Sequence, residues 1–152
     1  MSPSSRALAV LLGAVIGACG GLGMYTFVYA KGASYLTNDP AACANCHVMR
    51  GHHDAWLKGS HRSVATCNDC HLSPHLAGKL YTKASNGFWH SYGFTTGWFP
   101  DPIRIKGSNR AVVEATCRKC HQDIVEAIDS PANHRTGESC VRCHQNVGHE
   151  TH

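Results

Sequence analysis

The sequence lacks any long run of basic residues, although its 152 residues include 14 Lys and Arg against 10 Asp and Glu. Because the basic side chains are scattered, the formal net charge of +4 does not indicate nucleic-acid binding. The sequence also has no Ala-x-Ala cleavage site directly after its first apolar stretch, as a secretory signal peptide would have. A chain of this length is expected to form one domain, with room for an appendage.

Charged residues are absent from residues 7–30, and these 24 positions are enough to cross roughly 30 Å of hydrocarbon as a helix. The stretch is long for a cleaved signal peptide. We therefore predict a cytoplasmic segment 1–6, a transmembrane anchor 7–30 and an exported domain 31–152. The alternative is lipoprotein-type processing, which would leave Cys19 lipidated at the new N-terminus.

One five-residue unit, Cys-x-x-Cys-His, occurs four times. This spacing is the signature of c-type haem attachment, in which two thiols bond to the haem vinyl groups and the histidine ligates the iron. Zinc is the alternative, but a zinc ribbon needs two cysteine pairs per ion and no histidine after each pair. The predicted attachment residues are Cys43, Cys46, Cys67, Cys70, Cys117, Cys120, Cys140 and Cys143.

Four haems in so short a chain are expected to form the core themselves. We therefore predict a mainly α fold with much irregular structure, in which one N-terminal transmembrane helix precedes a small multihaem c-type cytochrome domain. Eight of the nine cysteines serve as haem anchors, so no disulfide framework is needed. Since haem is attached to such units outside the cytoplasmic membrane, we expect a single-pass protein of the inner membrane with its haem domain on the periplasmic side.

Local patterns predict several short elements in the exported domain. A helix is predicted over 109–128, where apolar residues recur at three- and four-residue steps. A short helix is predicted over 76–86. The following stretch 87–102 is rich in Gly, Pro and aromatic residues, which predicts a loop. Its aromatic side chains fit either a membrane interface or packing against haem faces.

Axial ligands set the potential of a haem over roughly 0.8 V, and methionine raises the potential above that of a histidine pair. Four of the 12 histidines follow the cysteine pairs, which leaves the others as candidate second ligands. Met49 lies two residues after His47, close enough to replace it as a ligand of the first haem. From the residues alone His47 is the expected ligand, and Met49 is the alternative.

The chain resembles the NapC/NirT family of membrane-anchored multihaem quinol dehydrogenases. The resemblance rests on the anchor, the four units, Cys-x-x-Cys-His-x-Met at the first unit and a histidine five residues after the fourth. Within that family, 67–71, 87–105 and 143–149 are most similar to the small subunits of cytochrome c nitrite reductases. The resemblance implies four covalent haem c groups and oxidation of menaquinol or a related quinol. It also implies a hetero-oligomer with a multihaem catalytic reductase. The partner implied by the resemblance is a nitrite reductase that forms ammonium.

The resemblance also implies a set of iron ligands. The first haem is then held by Met49 in place of His47, with no ordinary sixth ligand. The ligands on the attachment side of the second, third and fourth haems are then His71, His121 and His144.

On the opposite faces, the resemblance implies His149 for the third haem and His61 for the fourth. The second haem of such proteins borrows a lysine from the catalytic partner. His134 is the candidate if this chain closes that position itself.

The family's quinol pocket lies beside the first haem and carries a lysine and an aspartate. Lys83 matches the lysine, but Trp89-His90-Ser91 stands where the aspartate would align. His90 is the candidate proton acceptor, because imidazole titrates near physiological pH. The alternatives for His90 are ligation of the first haem and simple packing.

Two rival functions remain open from the sequence. The first is an anchored electron carrier that has no quinol site of its own. The second is a small terminal reductase with an open haem site for nitrite or hydroxylamine. In the favoured hypothesis the chain oxidises quinol, and nitrite reduction belongs to the partner subunit.

Overall fold

The computed structural model describes residues 2–128 and 139–150. Within these ranges the regular structure is helical and includes no strand, which confirms the predicted mainly α class. The α-helices are α1 (Pro3–Tyr29), α2 (Pro40–Cys43), α3 (Arg50–Lys58), α4 (Cys67–His71), α5 (Leu76–Thr96), α6 (Gly107–Cys120), α7 (Gln122–Ile128) and α8 (Cys140–Cys143). Two 3₁₀ turns cover Gly32–Leu36 and His47–Met49. The chain divides into two compact units, one ending at Thr37 and the other beginning at Asn38.

The first unit consists mainly of α1. Ser2 caps this helix by accepting a 3.2 Å hydrogen bond from the backbone N–H of Ser5, and Pro3 occupies the first turn, where its missing N–H costs nothing. The helix is 27 residues long and reaches a mean hydropathy of 2.1, with no side chain buried. At 1.5 Å per residue it is about 40 Å long. Its length and composition fit a single-pass membrane anchor.

The compact unit that begins at Asn38 has a very small aliphatic core. Leu72 is the one buried hydrophobic side chain among the described residues, and the buried polar side chains are Thr82 and Thr116. The Thr116 hydroxyl donates a 3.0 Å hydrogen bond to the carbonyl oxygen of Cys70, which joins α6 to α4. So small a core fits the prediction that macrocycles, and not aliphatic side chains, fill this domain.

Helix α5 is longer than predicted. It begins at Leu76 as expected, but it continues to Thr96, so the predicted loop is wrong over 87–96. The aromatic residues there recur at helical spacing, and the rings of Phe88 and Tyr92 stack with centroids 6.2 Å apart. The helix ends where Gly97 takes the left-handed conformation with φ of 71°.

The predicted helix over 109–128 is divided into α6 and α7. His121 interrupts it with φ of −107°, directly after the second cysteine of the third unit. Helix α6 also begins earlier than predicted, at Gly107. Asn109, inside the helix, donates a 3.1 Å hydrogen bond to the side-chain oxygen of Asn86 on α5.

Candidate functional site

Helical turns present the four cysteine pairs. The second, third and fourth pairs lie on α4, at the end of α6 and on α8, and the first begins at the last residue of α2. Residues three apart in a helical turn lie on one face, so the second, third and fourth pairs each aim two thiols at the same side. None of the nine cysteines forms a disulfide bond. Among the described residues, no three His, Cys, Asp or Glu side chains converge as a zinc site would require.

The second Cys-x-x-Cys-His unit begins with a capping box. The backbone N–H of Thr66 donates a 2.8 Å hydrogen bond to the carboxylate of Asp69, and its hydroxyl donates one of 2.7 Å. These bonds lower the pKa of Asp69, the backbone bond most strongly. The box fixes the direction of α4, and therefore of Cys67 and Cys70.

The first and second units meet at Cys43 and Cys67. A hydrogen bond with Cys67 lowers the pKa of the Cys43 thiol to about 7, and the same contact raises the pKa of Cys67. The ammonium of Lys83 on α5 also lowers the pKa of Cys43. The structure therefore places Lys83 beside the first unit.

The two candidate ligands of the first haem differ in exposure. His47 is exposed, whereas Met49 is half-buried at the end of the 3₁₀ turn His47–Met49. The backbone N–H of Met49 donates a 2.9 Å hydrogen bond to the carbonyl oxygen of Cys46, so the turn is closed around the unit. This arrangement directs Met49 inward and is compatible with ligation by Met49.

His71 lies in a group of imidazoles. Its ring centroid is 6.0 Å from that of His149, with the planes 11° apart, and His52 lies 5.0 Å from His149. Burial, and to a lesser extent the positive charges that His149, His52 and His90 can carry, lowers the pKa of His71 to about 4. His71 is therefore neutral at physiological pH, which is the form that ligates a metal.

His61 is held against the chain that follows the fourth unit. Its Nδ1 lies 3.0 Å from the carbonyl oxygen of Val147. In the Nδ1–H tautomer the ring donates to this carbonyl and leaves Nε2 free for iron, the arrangement found around metal-bound histidines. The His61 ring centroid is also 6.0 Å from that of His121.

A cavity of about 490 Å³ lies beside the fourth unit, within the size range of cofactor pockets. One wall is formed by the segment that leads into His61, and the opposite wall by the fourth unit and the residues after it. The lining residues are Lys58, Gly59, Ser60, Cys143, His144, Gln145, Asn146 and Val147. The cavity therefore adjoins His144 and the segment that precedes His61, the two histidines that the resemblance implies for the fourth haem.

The two predicted quinol-site residues share one face of α5 but neighbour different units. Lys83 and His90 are seven residues apart, or about 10 Å along the helix axis. Lys83 acts on Cys43 of the first unit, whereas His90 acts on His71 of the second. The pKa of His90 is lowered from its ordinary value because desolvation by the surrounding protein and the charge of Lys106 both disfavour the imidazolium.

Sequence reasoning missed two residues of this region. His52 contacts His149, and the ammonium of Lys106 lies 4.7 Å from the ring centroid of Trp89, a cation–π contact. His52 is three residues after Met49 at the start of α3, and this helical spacing was the available signal. Nothing in the local pattern around Lys106 points to Trp89.

The N-terminal region of the NapC/NirT cytochrome c family matches residues 3–152 of the chain. The chain belongs to the NapC/NirT cytochrome c family. As a member of this family it carries covalently bound haem c, and the Cys-x-x-Cys-His units are the residues that fit such attachment.

Several NapC/NirT relatives are similar along most of their length. Cytochrome c-type protein NrfH of Wolinella succinogenes is 32% identical over 139 residues, which cover 85% of this chain and 78% of the relative. Cytochrome c nitrite reductase subunit NrfH of Nitratidesulfovibrio vulgaris is 33% identical over 121 residues, covering 79% and 72%. The crystal structure of a cytochrome c nitrite reductase NrfHA complex bound to the HQNO inhibitor matches with a TM-score of 0.63 and 27% identity, covering 90% of both chains.

The residues of this NapC/NirT chain fit haem at the predicted positions. No cysteine is closed in a disulfide, the Nδ1 atoms of His61 and His149 lie near backbone carbonyls, and a cavity of suitable size adjoins Cys143 and His144. The assignment of each ligand to one iron stays a prediction. His134 lies outside the described residues.

Proposed function

We propose that this chain is a membrane-anchored tetrahaem quinol dehydrogenase that passes electrons to a multihaem nitrite reductase. The observation that carries this proposal is the match of 90% of the chain to a subunit of a nitrite reductase complex that binds HQNO. HQNO is a quinone analogue, so its presence in that complex supports a quinol site in the matching fold. The NrfH relatives support the same function.

Four covalent haems are proposed, one for each unit, and each is held by two thioether bonds. When bound, these haems supply the one-electron redox centres that connect quinol to the partner. We assign the attachment-side ligands to Met49, His71, His121 and His144. The half-buried position of Met49 and the exposure of His47 support methionine at the first haem.

For the opposite faces we assign His149 to the third haem and His61 to the fourth. The carbonyl oxygens of Val147 and Glu150 lie 3.0 and 3.1 Å from the Nδ1 atoms of His61 and His149, which supports both roles. A carbonyl acceptor fixes the imidazole tautomer and makes Nε2 a better ligand. A lysine of the catalytic partner is proposed to complete the second haem, with His134 as the alternative within the chain.

The quinol end is proposed to lie along α5, from Lys83 to His90. Quinol oxidation releases two protons, which need acceptors near the substrate. Lys83 lies beside the first unit and can orient a quinol oxygen through its ammonium group. Desolvation and the charge of Lys106 lower the pKa of His90, which favours the neutral imidazole that can accept a proton.

The proposed substrate is menaquinol, and the proposed location is the inner membrane. Helix α1 would hold the chain in the bilayer as segment 7–30, with residues 1–6 in the cytoplasm and 31–152 on the periplasmic side. A quinol that diffuses in the bilayer would then react beside the first haem. The nitrite chemistry takes place in the partner subunit.

The test is anaerobic mixing of the detergent-purified holoprotein with a menaquinol analogue, followed by the haem absorption band. Rapid partial reduction that HQNO abolishes is the expected result. Reduction by dithionite but not by quinol would instead establish the anchored electron carrier. Turnover of nitrite by the isolated chain, without any partner, would establish the terminal reductase.

A further inference from the structure

The carboxylate of Glu114 on α6 binds the start of the fourth unit. It accepts hydrogen bonds from the hydroxyl of Ser139, from the backbone N–H of Cys140 at 2.8 Å and from the backbone N–H of Val141 at 3.3 Å. One side chain therefore satisfies three donors at the first turn of α8, 25 to 27 residues away. The backbone N–H groups at the start of a helix have no partner within that helix. The position of α8 therefore depends on this carboxylate.

The same carboxylate belongs to the third unit by its place in the helix. Glu114 precedes Cys117 by three residues, so both side chains lie on one face of α6. Its charge acts on the thiols of both Cys117 and Cys140. The carboxylate therefore lies between the attachment points of the third and fourth haems.

Glu114 is ionised at physiological pH. Desolvation by burial raises its pKa, but the hydrogen bonds from Ser139, Cys140 and Val141 outweigh this effect, so the pKa lies below its usual value. Arg118 lies one turn later on α6, and its positive charge acts on Cys140 in the opposite sense. Loss of the Glu114 charge would still change the local net charge by one elementary charge.

We propose that Glu114 is a positioning residue shared by the third and fourth haems, whose fixed negative charge also lowers the reduction potential of both. Reduction adds one electron to a ferric iron and removes one positive charge from it. A nearby anion stabilises the ferric state more than the ferrous state, and partial burial strengthens this effect. The proposal rests on haem attachment at Cys117 and Cys140, and it needs neither the quinol site nor the nitrite reductase partner.

Charge and position can be separated by three substitutions. Glu114→Gln keeps the shape and one acceptor oxygen but removes the charge, whereas Glu114→Asp keeps the charge on a shorter side chain. Glu114→Ala removes both. Glu126→Gln is the matched control, because Glu126 on α7 is exposed and accepts its hydrogen bond from the side chain of Gln122.

The readouts are haem content, the electron paramagnetic resonance spectrum and the four macroscopic midpoint potentials of the purified holoprotein at fixed pH. For Glu114→Gln we expect four haems and unchanged spin states. We also expect about a tenfold increase in the reduced-to-oxidised ratio of two haems at a given potential, which is about 59 mV for a one-electron couple. Glu114→Asp and Glu126→Gln should keep the wild-type potentials.

Two results would overturn the proposal. One is a Glu114→Gln protein whose four potentials match those of the wild type, because the charge would then have no effect on any haem. The other is an equal rise in Glu126→Gln, because the shift would then report net charge and not the site. If Glu114→Ala does not assemble, the Gln and Asp variants still decide the outcome.

Discussion

The Nδ1 atom of His61 lies 3.0 Å from the carbonyl oxygen of Val147, although 86 residues separate them in the chain. Ser60 donates a 3.1 Å hydrogen bond to the same carbonyl. Gly59 lies so close to the segment after the fourth unit that an added Cβ would be 2.6 Å from the carbonyl oxygen of Gly148. These contacts determine where the ring of His61 is held relative to the fourth unit.

Substitution of Gly59 by alanine should therefore disturb the fourth haem. The obstructing atom is backbone and cannot rotate away, so we expect a loss of stability of roughly 1–3 kcal/mol. We also expect loss of the low-spin signal of one haem, because His61 would be displaced from Val147. Thermal unfolding and electron paramagnetic resonance measure the two effects.

Gly51→Ala is the control for this substitution. Gly51 is the second residue of α3, and an added Cβ there would meet nothing within 4 Å. Alanine in a helix interior is expected to stabilise the protein by about 0.5–1 kcal/mol. Equal behaviour of the two variants would show that the contact between Gly59 and Gly148 does not position His61.

Substitution of Met49 by alanine should change the absorption spectrum and the midpoint potential of the first haem. A thioether raises the potential relative to a histidine, so its loss should lower it. His47→Ala is the matched variant two residues earlier, and it should leave both properties nearly unchanged. The reverse pattern would assign the first haem to His47.

The acid limb of quinol oxidation should lie at lower pH than the pKa of an ordinary histidine if His90 accepts the proton. Acceptance requires neutral imidazole, and desolvation together with the charge of Lys106 lowers the pKa of His90. Lys106→Gln removes the positive charge, so the pKa should rise and the acid limb should move to higher pH. Lys106→Arg keeps the charge and should leave the limb in place.

His90→Phe tests the same role by removing the acceptor. The haem content should be unchanged and the rate of quinol oxidation should fall about 10²–10⁴-fold, the usual contribution of a general base. The rate is measured under anaerobic conditions across pH. Wild-type turnover at every pH would exclude His90 from proton transfer.

His149→Ala should make the third haem high-spin. The rings of His149 and His71 are 6.0 Å apart, a distance that also suits two ligands on opposite sides of one iron. A background with both Cys117 and Cys120 changed to serine, which lacks the third haem, separates the two pairings. There, His149→Ala should add no new high-spin signal, whereas such a signal would pair His149 with His71 on the second haem.

Intact mass spectrometry of the purified protein tests the anchor. The expected mass is that of a chain that retains residues 1–18 and carries four haems. Loss of residues 1–18, with a lipid on Cys19, would instead establish lipoprotein processing.

The residues by themselves determined the haem chemistry, the helical class and the presence of one apolar anchor helix. Each of these depends on short-range spacing, because two thiols three residues apart and a following histidine need only one turn of backbone. The predicted loop over 87–96 was wrong because composition and helical contacts favour different structures there. Glycine and aromatic composition favours a loop, but helical contacts such as that between Phe88 and Tyr92 decided the outcome.

Tertiary structure alone decided which units touch and which side chains join them. The bonds from Thr116 to Cys70, from Cys140 to Glu114 and from His61 to Val147 connect residues 46, 26 and 86 positions apart. No local pattern encodes such pairs, since each depends on how separate helices pack. The attachment of haem is therefore written in the spacing of the cysteines, whereas the environment that tunes each haem arises only when the chain folds.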